Sequence, residues 1–154
     1  MKQFSYEFLA GPLASEEELR GDWSTGNCRR AVQLYLFENC GIFLRPEQVL
    51  CPAAYHETGS FVFKKGQPVD FAALKKEDIL YAEKIRKKDG VEMDKSEKTF
   101  SSSDEYITSL HTAIYTVEHG KEIWHATAIE GNSCYWPLEK FTYFYRFVAA
   151  KRIV

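Results

Sequence analysis

Along this chain the apolar positions follow two different periods. Between Cys28 and about Asn39 the apolar residues Ala31, Val32, Leu34, Tyr35, Leu36 and Phe37 recur at helical spacing and leave almost no polar face. That pattern predicts a central, largely buried helix, with Gly41 as its natural stop. Upstream, "SEEELRG" (Ser15 to Gly21) reads as a short capped helix, with Ser15 as N-cap and Glu18 three positions on. The turn-rich "DWSTGN" joins the two. Downstream, "RPEQVL" (Arg45 to Leu50) reads as one more helical turn, and "HETGSFVFKKGQP" as loop. Asp70 is a candidate cap for a short turn over "FAALKK", followed by a strand from about Ile79 to Ile85. Residues 86–105 are polar, with Asp89-Gly90 as a turn signal, and suit a hairpin tip or mobile loop.

In the C-terminal third the period shortens to two. "YITSLHTAIYTV" alternates and carries β-branched residues, "EHGK" is a short turn, and "EIWHATAI" is the return strand. "GNSCYWPLEKF" breaks the sheet, and "TYFYRFVAAKRIV" supplies a last strand. Helices come first and an antiparallel sheet follows, which is an α+β order. The 154 residues form a single domain on this reading, with 1–21 as an N-terminal extension carrying the short helix.

Composition changes this picture little. Hydrophobic residues make up 45% and charged residues 27%, the balance of an ordinary globular chain. A net charge of -2 gives no bulk field toward nucleic acid or an anionic membrane. No apolar run approaches the roughly 20 residues of a membrane span. Glu7 interrupts the apolar start "FSYEFLAGPLA", so no secretion signal is read and a cytoplasmic, thiol-reducing setting is expected unless a leader has been removed. Of four cysteines, Cys28, Cys40, Cys51 and Cys134, none forms a C-x-x-C pair. "CPAAYH" (Cys51 to His56) stands alone, and neither a metal nor an organic cofactor is expected.

The chemistry concentrates at Cys28. The first amides of a helix are unpaired, and the macrodipole places partial positive charge there. Both stabilise a thiolate, and Arg29 and Arg30 add positive charge in the same turn. The alternative is a small buried packing residue. A base is available in His111, at a strand start, with His125 on the neighbouring return strand to orient it. Taken singly, each histidine also suits a structural role, as does His56 in its irregular loop, while His119 sits in a turn and is expected to be exposed. Arg29 and Arg30 are candidates to hold a substrate carboxylate, or are ion-paired surface. Trp23, just before the thiol, is a third substrate-side candidate.

Five motifs in order resemble the NlpC/P60 cysteine peptidases. "NCRRAV" stands where that family opens its nucleophile helix, and "KKEDILYAE" echoes its P-G-D-L-[VI]-[FY]-F stretch. "HTAIY" at His111, "WHAT" at His125 and the terminal "FVAAKRI" follow over residues 22 to 154. Asn27 replaces the family's Asp, and no Tyr stands at the matching distance before Cys28 to replace the Tyr that lines the family's site. The resemblance implies a papain-like fold and a Cys28/His111/His125 hydrolase of amide bonds. Its implied substrate is a peptide, with the γ-D-glutamyl bond of peptidoglycan fragments as the family's usual target. A non-catalytic peptide- or protein-binding relative, or an acyltransferase or deamidase on the same scaffold, are the alternatives.

Overall fold

The computed structural model of the chain describes residues 3–7, 17, 25–44, 59–86, 110–118 and 121–153. Outside them lie the expected N-terminal helix (Glu17 apart), the turn at 45–50, the polar segment beyond Arg86, and Trp23, Cys51, His56 and His119. In the described residues the chain is an α+β fold. Strands β1 (Ser5–Tyr6) and β2 (Thr25–Gly26) precede helix α1 (Cys28–Cys40). Then come β3 (Ser60–Phe63), β4 (Ile79–Lys84), β5 (His111–Glu118), β6 (Lys121–Thr127) and β7 (Asn132–Trp136). Helix α2 (Leu138–Phe144) and strand β8 (Tyr145–Arg152) complete it.

Helix α1 begins where its amides find a partner. The Asn27 side chain accepts from the N–H groups of Arg29 and Arg30, each at 3.1 Å. It ends at Gly41, whose φ of 67° is left-handed. Ala31, Val32, Leu34, Tyr35 and Leu36 are buried, as their spacing predicted. Asp70 caps the 3₁₀ turn Phe71–Ala73 through Ala72 N–H.

The eight strands form one curled sheet in the order β2-β1-β7-β6-β5-β4-β8-β3. Alternate residues serve its two faces. Leu80, Ala113, Ile123 and Trp136 point to one face, where they pack with Phe141 of α2 and with Tyr145 and Phe147 of β8. Ile79, Ile114, Trp124 and Ala126 point to the other and pack against α1. The indole N–H of Trp124 donates to Ala31 O at 3.1 Å and pins the first turn of α1 over β6. The next residue, His125, therefore points to the opposite face.

Four expectations are corrected. The sheet is mixed rather than antiparallel, because β1 runs parallel to β2 while pairing antiparallel with β7. "SFVF" is not loop: it is the edge strand β3 against β8, admitted by Gly59, where a Cβ would stand 2.6 Å from Arg152 O. "GNSCYW" does not break the sheet but adds β7 to it, with His125 opposite Cys134. The segment expected to open the last strand is helical, because Pro137 cannot donate to a ladder and the Glu122 carboxylate accepts the Leu138 N–H at 2.8 Å.

Replacing Asn27 with Ala removes the acceptor for two half-buried amides and should lower unfolding free energy by about 1 kcal/mol. Asn27→Asp keeps an acceptor and should hold close to wild type, as read by chemical denaturation.

Candidate active site

The three residues singled out from sequence meet. Cys28 is the first residue of α1 and is 8% exposed. His111 opens β5, and its ring hydrogen-bonds the Cys28 sulfur, while the Thr112 backbone N–H donates to the same sulfur. On its far side, His111 Nε2 lies 2.8 Å from His125 Nδ1. With Ile114 opposite Trp124, the two histidines stand diagonally across the β5–β6 pair rather than face to face. His111 Nε2 is thus taken by His125, and Nδ1 is the nitrogen left for the thiol.

The thiol's acidity is the outcome of opposed effects. Burial is the largest of them and pushes it up. The positive charge of His111, its hydrogen bond, the charge of Arg29 and the Thr112 N–H together outweigh burial and bring Cys28 down to about 6. Cys40, at the other end of the same helix, shows the contrast. Burial, a hydrogen bond to Glu77 and the charge of Glu77 push that thiol up to about 12. The two ends of α1 therefore carry cysteines of opposite character.

His125 is fully buried, and burial drives it well below the ordinary imidazole range, with the charges of His111 and Lys140 acting the same way. It is neutral. The rings of Trp136, Phe141 and Tyr145 surround it edge-to-face at 4.4, 5.4 and 6.0 Å. Its Nε2 has no hydrogen-bond partner among the described residues.

The two arginines separate. Arg30 Nη1 donates to Thr25 O at 2.8 Å, which ties it to the backbone of β2. Arg29 acts electrostatically on both Cys28 and Tyr6. Trp23 lies outside the described residues.

Three contributors were missed from sequence. One is the Thr112 amide. Another is Tyr145, whose ring stacks on His111. The third is Tyr6, expected to have no counterpart near the thiol. β1 brings it there: burial raises its hydroxyl, and the Cys28 charge raises it further. The Tyr6 N–H donates to Gly131 O at 2.9 Å, and the neighbouring Phe4 N–H to Ser133 Oγ at 2.8 Å. A two-residue strand has no period to read, so no sequence signal marked it.

The amides are distributed unequally. Asn27 takes those of Arg29 and Arg30. Asn27 does not take the Cys28 N–H, which stands at the first position of α1 beside the sulfur. Among the described residues no three His, Cys, Asp or Glu side chains group as a metal site, and no helix is long and apolar enough to cross a membrane. No protein-family model and no curated protein matches the chain.

The rate of alkylation of Cys28 by iodoacetamide should rise with pH through about 6 and then level, because the thiolate is the reacting form. Cys40 should remain slow at neutral pH. His111→Ala removes the main opposition to burial and should move the inflection of Cys28 to about 8.5 or above. Site-resolved mass spectrometry across pH checks each point.

Proposed function

We propose that this chain is a cysteine hydrolase of amide bonds, acting through Cys28, His111 and His125 on a papain-like fold similar to that of the NlpC/P60 peptidases. One observation carries the reading: an unbroken line of contacts runs from a helix-start thiol through His111 to a buried neutral imidazole. A purely binding module has no use for a lowered thiol with a base behind it.

The reaction follows from what each group can do. The Cys28 thiolate attacks the amide carbonyl carbon, a C–S bond forms, and the carbonyl π electrons move to oxygen. The Cys28 N–H, at the positive end of α1, donates to that oxyanion. The Tyr6 hydroxyl is the candidate second donor. Imidazolium His111 gives its Nδ1 proton to the leaving nitrogen as the C–N bond breaks. Water then attacks the thioester, His111 accepts its proton, and the carboxylic acid leaves with the sulfur restored as thiolate. Throughout, His125 accepts from His111 Nε2 and fixes the ring. Arg29 is the cation beside the thiol and suits an acyl group bearing a carboxylate, as in a γ-D-glutamyl peptide.

Screening γ-glutamyl peptides and simple amides tests this. Wild type should cleave at least one, and an acyl group should appear on Cys28 by mass spectrometry in a rapid quench. Cys28→Ser should fold normally and lose kcat/KM by about 10³-fold or more, and His111→Ala by about 10²-fold or more. Turnover surviving in Cys28→Ser would overturn the assignment.

A further inference from the structure

The described histidine pair rests on an aromatic residue for which the reaction has so far had no use. Tyr145, the first residue of β8, lies with its ring 4.3 Å from the His111 ring and within 16° of parallel. Its other contacts hold it still. Phe141 stacks on it at 4.8 Å and 21°, and its hydroxyl is 2.8 Å from Thr127 Oγ1, which also accepts the Ile129 N–H. Tyr145 is 3% exposed. Burial raises its hydroxyl well above the usual tyrosine range, and the Cys28 charge adds to this, so the ring stays a neutral phenol.

We propose that Tyr145 is a positioning residue for the thiol–imidazole pair: its π face holds the His111 ring in line with the Cys28 sulfur and stabilises that ring's protonated form. The inference rests on the hydrolase reading given above. Its physical basis is the negative quadrupole of an aromatic face, which attracts a cation lying over it and does so more strongly where water is excluded. A neutral His125 offers His111 an acceptor but no compensating negative charge. Beside the thiolate and the His125 acceptor, the π face of Tyr145 is stacked on the imidazolium and lowers its energy electrostatically, and the Phe141 ring lies farther off at 6.1 Å.

The other groups around His111 act differently. On β4 the residue opposite it is Ala82, which carries no charge. On β6 His125 is neutral, and from α2 Lys140 opposes positive charge at His125. From α1 Cys28 supplies the negative partner, and that sulfur in turn interacts with the charge of Arg29 and with the Tyr6 hydroxyl of β1. The Glu83–Arg146 ion pair joins β4 to β8 one residue beyond Ala82 and Tyr145 and is internally balanced.

The test reads the pH profile of Cys28 alkylation by iodoacetamide in the full chain. Tyr145→Phe keeps the face and should retain the wild-type inflection. Tyr145→Leu should move the inflection up by about one pH unit, a roughly ten-fold lower rate at any pH below it. Should Tyr145→Leu fail to fold, phenylalanines of increasing fluorination at position 145 keep the ring's shape while draining its face. The inflection should then climb with each fluorine. An inflection unmoved along that series, or by Tyr145→Leu, overturns the role of Tyr145 and leaves the hydrolase reading standing. A wild-type Cys28 that alkylates no faster than Cys40 overturns both.

Discussion

An imidazole shut away from water cannot hold a charge, and His125 is shut away completely. That constraint organises the site. A neutral imidazole has one N–H. If it sat on Nδ1, His111 Nε2 would have to accept it, and the proton of a neutral His111 would lie on Nδ1, facing the sulfur. Such a ring cannot take the thiol's proton. With the proton on Nε2, Nδ1 accepts from His111 and leaves the other face of that ring open as a base. The Nε2 of His125, without a hydrogen-bond partner among the described residues, is then an N–H among aromatic rings, a contact with weak attraction of its own, where a lone pair would meet only repulsion. The aromatic cage of Trp136, Phe141 and Tyr145 therefore chooses both the charge and the tautomer.

The same low-dielectric surroundings work against the thiolate, and the fold answers them locally. Burial penalises any anion at Cys28. Against it stand one ring, one guanidinium and one backbone N–H, all within the first turn of α1 or the first two residues of β5. At Cys40 burial acts together with the Glu77 carboxylate, the two outweigh the opposing charge of Lys76, and the sulfur stays protonated. Burial raises both thiols, so it cannot tell them apart. The sign of the neighbouring charge can. Moving the Cys28 thiol by one pH unit takes about 1.4 kcal/mol, which is the order of a single charged hydrogen bond. A handful of local contacts is enough to make one cysteine of a helix reactive and its partner inert.

What was legible in the sequence was local and periodic. Helix α1 could be bounded because Asn27 and Gly41 act within one turn of it. β5 and β6 could be paired because the turn between them is short, and that pairing alone brought His111 and His125 into range. What was not legible depended on partners far along the chain. α2 exists because Pro137 closes the ladder and a carboxylate from β6 caps the next residue. β3 was hidden by the glycines and lysines around it, and its pairing is with the last strand. Cys28 and its two histidines were read from motif and spacing. Tyr145 was read only as strand, and nothing in a strand pattern says that one aromatic will lie flat on an imidazole.

Tyr6 shows the limit most sharply. The resemblance expects a tyrosine shortly before the nucleophile, and the sequence has none there. The fold brings one from the other side of a long segment, through a strand two residues in length. Such a strand has too few ladder bonds to hold itself. Its register comes from Ser133, whose hydroxyl accepts the Phe4 N–H and whose own N–H donates to Phe4 O, and from Gly131 and Gly26, whose carbonyls take the next amides. Gly26 must also be small, since a Cβ there would stand 2.7 Å from Arg30 Cδ and 2.8 Å from the Phe4 ring. The position of a hydroxyl beside the thiol is thus set by a serine on β7 and a glycine on β2. Neither residue has any chemistry to offer the proposed reaction. A site of this kind is assembled by sheet register, and its members need share no motif.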